Sequence, residues 1–90
     1  MTTQSNMMNQ SGMSNQSGMI IIKARIPGKI LELRMQEGAH GEQHATALIL
    51  ESMKMENPIR LPVSGTIARI YVQANEKVRT GQVLLELDPD

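Results

Sequence analysis

The sequence predicts an all-β domain, a sandwich or flattened barrel of about eight short strands, four from each of two copies of one unit. Three observations lead there. From Ile20 to Asp88 apolar residues alternate with polar ones at a period of two, and no long stretch carries a helical period. The same stretch, laid on itself with an offset of 37 residues (the distance from Gly28 to Gly65), matches without a gap. Finally, Gly28, Gly38, Gly65, Gly81, Asn75 and the prolines fall between the apolar runs, where turn chemistry belongs.

Taken in chain order, 1–19 reads as a disordered low-complexity tail: it has no charged side chain, and Asn9-Gln10-Ser11-Gly12-Met13 recurs as Asn15-Gln16-Ser17-Gly18-Met19. Such a segment has too little branched or aromatic surface to offset its ordering entropy. The folded domain is assigned to 20–90. Leu31, Leu33 and Met35 alternate with Glu32 and Arg34, and in the second copy Ala68, Ile70 and Val72 alternate with Arg69 and Tyr71. Leu48 and Leu50 with Ser52, then Val83, Leu85 and Leu87 around Glu86, repeat the pattern. The offset superposes Ile22 on Ile59, Ile30 on Ile67, Leu33 on Ile70, Met35 on Val72, Leu48 on Leu85 and Leu50 on Leu87. Each unit is too small to bury its apolar face alone, so the two are expected to share one core about a pseudo-twofold axis.

Composition narrows the function classes. Ninety residues make one small domain, Tyr71 is the only aromatic residue, and nine basic side chains balance nine acidic ones. Nothing resembles the basic, aromatic-interleaved surface of a nucleic-acid binder. There is no cysteine, which excludes thiol catalysis and cysteine-based zinc sites. No stretch approaches the roughly 20 apolar residues of a membrane span, and no secretory pattern opens the chain, so a soluble, cytoplasmic protein is expected. His40 and His44 lack the further ligands a metal site requires, and Glu37 and Glu42 read as solvated loop charges rather than as an acid/base pair.

One segment breaks local rules. If Thr46–Ser52 and Met55–Leu61 are antiparallel strands, Met53-Lys54 alone connects them, whereas two-residue hairpins favour Asn-Gly or other glycine-containing pairs. The sequence sets two methionines around one amine where a turn should be polar, and such conflicts mark functional positions. An exposed lysine suits acylation by an activated carboxylic acid, with the activating base supplied by the modifying enzyme. The offset places the symmetry mate of this hairpin beyond Asp90, so Lys54 is expected at the end of the domain opposite the strand termini.

Glu51-Ser52-Met53-Lys54-Met55-Glu56-Asn57-Pro58-Ile59 resembles the biotinylation motif of biotin carboxyl carrier domains, in the biotin/lipoyl attachment family. The resemblance extends to Ile26-Pro27-Gly28-Lys29-Ile30, to Pro62-Val63-Ser64-Gly65-Thr66-Ile67 and to the run from Val72 to Leu84. It implies a barrel-sandwich fold without catalytic residues of its own. It also implies that a biotin protein ligase attaches biotin to Lys54, reading Glu51, Met53 and Met55 by shape and contact. The biotin would then carry a carboxyl group from a biotin carboxylase to a carboxyltransferase or decarboxylase. Lipoylation of Lys54 is the rival within the same class, although lipoyl lysines more often follow Asp and precede Ala.

The first copy departs from the family pattern in Gly38-Ala39-His40-Gly41-Glu42-Gln43-His44, where Gly41 occupies an apolar position and His44 that of a glycine. A looser loop than its counterpart around Val78 and Gly81 is expected there. Histidine tolerates left-handed backbone better than most residues, which accommodates His44.

Overall fold

The computed structural model describes residues 18–90, so the expected tail at 1–19 lies outside the described residues apart from Gly18 and Met19. Eight strands follow in order: β1 Ile20–Lys23, β2 Gly28–Leu33, β3 His40–Gly41, β4 Thr46–Ser52, β5 Met55–Arg60, β6 Gly65–Ile70, β7 Lys77–Val78 and β8 Val83–Pro89. They form two four-stranded sheets, ordered β1-β8-β6-β3 and β5-β4-β2-β7, in which every pairing is antiparallel. The fold is the two-sheet sandwich that the alternation and the internal repeat predict.

The repeat is realised residue by residue. Ile20 pairs with Leu87 and Ile22 with Leu85 in one sheet, and their mates Asn57 with Leu50 and Ile59 with Leu48 in the other. Gly38 N–H donates to Ile67 O at 2.7 Å, and its mate Asn75 N–H donates to Ile30 O at 2.6 Å. The left-handed positions also match: Gly38 (φ 87°) with Asn75 (φ 73°), and His44 (φ 74°) with Gly81 (φ 88°). Each sheet takes two strands from each copy, so the copies interlace instead of stacking as separate layers. Ile30, Leu48, Leu50, Leu61, Ile67, Leu84, Leu85 and Leu87 are fully buried in the single core between the sheets. Burying such side chains stabilises by roughly 1.5–3 kcal/mol each, which a chain with one aromatic residue needs from its aliphatics.

Two expectations are corrected. The fully buried residues of β2 and β6 are Ile30 and Ile67, and the first members of the alternating series, Leu31 and Ala68, are only half-buried; further along, Leu33 and Ile70 pair opposite the buried Leu48 and Leu85, and Met35 and Val72 pack in or against the core as expected. A register irregularity between Ile30 and Glu32, repeated between Ile67 and Arg69, shifts the alternation by one residue. The loop around Gly41 is not looser paired: His44 N–H donates to Leu61 O at 2.8 Å, as its mate Gly81 N–H donates to Ala24 O at 2.7 Å. The volume missing at Gly41 is filled by Met35, whose Cε would stand 2.7 Å from a Cβ there, while the second copy uses the smaller Val72 with Val78. Glu37 is an exposed loop charge as expected, and its Oε2 also accepts the Ile70 N–H at 2.9 Å.

Candidate functional site

The connection between β4 and β5 is Met53-Lys54 alone, closed by the Ser52–Met55 pair. Both turn residues have positive φ, 54° at Met53 and 65° at Lys54. This is the type I′ signature, whose twist matches the strands it joins and which ordinarily takes Asn-Gly. A side chain with a Cβ is disfavoured there by roughly 1–2 kcal/mol per residue, so the flanking ladder must hold the turn in place. Six strand pairs from Thr46–Arg60 to Ser52–Met55 do so, and β4 is buried from Ala47 to Leu50. The turn is conformationally costly, yet it stands on the most deeply buried strand of its sheet.

Two residues behind the tip fix its position. The Asn57 amide donates through Nδ2 to Leu50 O at 3.3 Å and to Met55 O at 3.1 Å, bracing β5 against β4 below the turn. Sequence reading passed over Asn57, although an amide beside a turn is a frequent backbone partner. Gly28 lies so close to β4 that a Cβ there would stand 2.2 Å from Glu51 O. The Pro-Gly turn upstream is thus a close-approach site that seats β2 against the base of the hairpin.

Of the residues singled out from the sequence, Lys54, Met53 and Met55 stand together at the tip, with Met53 92% and Met55 66% exposed. Glu51 is half-buried two residues before Met53, on the outer face of β4 opposite Glu56 and Lys29. Pro27, Gly28, Lys29, Lys77 and Val78 form the wall of an open groove that runs beside Glu51, Ser52, Met53 and Lys54. The ion pairs among the described residues are Arg34–Glu32, His40–Glu42 and His40–Asp90, none of which engages the Lys54 amine. Among the described residues, His40 and His44 are not brought into a metal cluster; His40 Nε2 instead lies 2.9 Å from Asp90 Oδ2. That hydrogen bond, with the charge of Asp90, raises the His40 pKa above 6.5. The strand ends Ile20 and Pro89 lie at the other end of the sandwich, where Gly65 pairs with Pro89 and Ile20 with Leu87.

An exposed amine on a strained two-residue tip, braced from below and flanked by flexible apolar side chains, can serve as a covalent attachment point read by another protein. The chain is also similar to known proteins. Residues 13–87 match the biotin/lipoyl family model described as "biotin-requiring enzyme", and the chain belongs to this family. It is 34% identical over 67 residues to pyruvate carboxylase of Bacillus subtilis, covering 74% of this chain and 6% of that protein. It is also 34% identical over 64 residues to the biotin carboxyl carrier protein of Streptococcus mutans, covering 71% of this chain and 49% of that protein. The chain therefore spans less than half the length of these relatives. The lipoyl domain of the 2-oxoglutarate dehydrogenase complex from Azotobacter vinelandii has the same fold, with a TM-score of 0.69 at 21% identity, over 77% of this chain and 95% of that one.

Proposed function

We propose that Lys54 carries covalently attached biotin and that the domain is a non-catalytic carrier, moving a carboxyl group between a biotin carboxylase and a carboxyltransferase or decarboxylase. The observation that carries this reading is the tip itself: Met53 and Lys54 both in left-handed backbone, with Met53 almost fully exposed. A turn selected for stability would place glycine or asparagine there. Bound biotin would supply a ureido nitrogen that accepts and releases the carboxyl group. The chain's own contribution is presentation: β4 and β5 hold the amine clear of the sandwich, and Asn57 keeps the hairpin from fraying.

Attachment requires the Lys54 ammonium to lose a proton to a base of the modifying enzyme. The amine nitrogen then attacks the activated carboxyl carbon of the incoming acid, an amide bond forms and the activating group leaves. Glu51, Met53 and Met55 are positioned for recognition by a biotin protein ligase, since all three surround the amine without touching it chemically. The similarity to pyruvate carboxylase and to a biotin carboxyl carrier protein supports biotin as the group carried.

Lipoate is the second reading, favoured by the shared fold of the lipoyl domain. Intact mass after coexpression with a biotin ligase and with a lipoyl ligase separates the two. A biotin adduct that disappears in Lys54→Arg is expected; an adduct with lipoate alone would overturn the assignment.

A further inference from the structure

The pseudo-twofold provides an internal control. Most backbone positions in one sheet have a mate in the other with the same pairing, so a difference in side-chain charge between such mates is not dictated by the fold. The two sheets differ in the row just behind the hairpin. Across β5-β4-β2-β7, Glu56 pairs with Glu51, Glu51 with Lys29, and Lys29 with Lys77. The neighbouring row contains Leu50 and Ile30, both fully buried, so by alternation the charged row faces outward. In the other sheet Glu51, Lys29 and Lys77 correspond to Asp88, Thr66 and His40, and Glu56 corresponds to Met19, which precedes β1 and is unpaired there; none of the four is a lysine.

The order of charges matters as well as their number. Like charges directly opposite one another across a ladder are unfavourable, and opposite charges favourable. Here Glu56 faces Glu51 and Lys29 faces Lys77, leaving only the central Glu51–Lys29 pair attractive. An alternating order would serve stability better. The row is instead polarised, with two carboxylates on the β5 and β4 side and two ammoniums on the β2 and β7 side. The ammonium side lines the groove that Lys54 overhangs.

We propose that this row is an orientation key, in which Lys29 and Lys77 are specificity-determining residues for the protein that modifies Lys54. The partner fitted by it is the biotin protein ligase, presenting an acidic patch to Lys29 and Lys77 and a basic patch to Glu51 and Glu56 around its active-site opening. A two-stranded hairpin presents faces of similar shape, so a polarised row admits one docking orientation and penalises the reverse. Because the row sums to zero charge, it orients by its dipole without adding net attraction. This inference rests on the biotin reading given above.

The test compares kcat/KM for biotin transfer to Lys54 by the cognate biotin protein ligase, with biotin and ATP, followed by intact mass. The comparison is made at about 0.01 M and about 1 M salt, where the Debye length is roughly 30 Å and 3 Å. Lys29→Glu/Lys77→Glu is expected to lose about tenfold or more at low salt, with the deficit shrinking at high salt. Lys29→Thr/Lys77→Gln, which borrows Thr66 from the mate position, is expected to fall between. Arg34→Glu/Arg60→Glu, the same charge change at the Thr46 end of the β4–β5 ladder, away from the tip, is expected to match the wild type. Equal rates for wild type and Lys29→Glu/Lys77→Glu at low salt would overturn the proposal, as would an equal loss in Arg34→Glu/Arg60→Glu. A wild-type chain that takes no biotin would instead remove the biotin reading and this inference with it.

Discussion

Replacing the turn Met53-Lys54 by Asn-Gly should make the domain more stable. Both residues occupy positive φ, 54° and 65°, where a residue with a Cβ is disfavoured by roughly 1–2 kcal/mol. Glycine at 54 removes that penalty but returns roughly 0.4–1 kcal/mol through the greater freedom of the unfolded chain. Asparagine at 53 removes part of it, because its short polar side chain tolerates left-handed backbone. Met53 is 92% exposed, so its loss forfeits almost no buried surface. The net expectation for Met53→Asn/Lys54→Gly is a gain of about 1–2 kcal/mol. In a domain of this size that raises the thermal midpoint by roughly 5–15 °C, measurable by differential scanning calorimetry. A midpoint that is unchanged or lower would show that the tip is not strained, and the argument that this turn is kept for presentation would fall.

The seating of β2 and a pH-dependent contact give two further tests. Gly28→Ala would set a Cβ 2.2 Å from Glu51 O, and a cost of about 1–3 kcal/mol in urea unfolding is expected, whereas Gly18→Ala meets no atom within 4 Å, is not in left-handed backbone and should cost less. Equal losses would refute the close-approach argument. His40 has its pKa raised by its hydrogen bond to Asp90, so the contact's contribution is fully present below about pH 6.5 and is lost as pH rises through the folded-state value. An NMR titration should find the His40 midpoint lowered toward 6.5 in Asp90→Ala; an unchanged midpoint would exclude Asp90 as the cause.

How far the sequence reached depends on the kind of information each feature needs. The strand boundaries were legible because the offset that joins Gly28 to Gly65 also joins all four strands of one copy to those of the other. The phase of β2 and β6 was only partly legible, because the irregularity after Ile30 buries Ile30 out of step with the alternation of Leu31, Leu33 and Met35, of which Leu33 pairs opposite the buried Leu48 and Met35 packs against the core. Met35 filling the space above Gly41 is a contact between segments that pair with different sheets, invisible to any local pattern. At the tip, the mismatch between Met53-Lys54 and the residues a two-residue turn prefers was legible, and it is realised as two left-handed residues. Asn57 and the row from Glu56 to Lys77 required the register. Only pairing tells which carbonyls an amide reaches or that two lysines 48 positions apart, Lys29 and Lys77, face each other.

The interlacing of the two copies also governs stoichiometry. Because every sheet borrows two strands from each copy, neither copy completes a sheet alone, and the pair is built like a dimer made permanent by fusion. A dimer of free units would have two equivalent ends. Running both units through one polypeptide joins the strands at one end into the Met53-Lys54 hairpin and leaves Ile20 and Pro89 at the other. The symmetry that builds the core is therefore broken where the chain connects, and each domain has a single Met53-Lys54 hairpin.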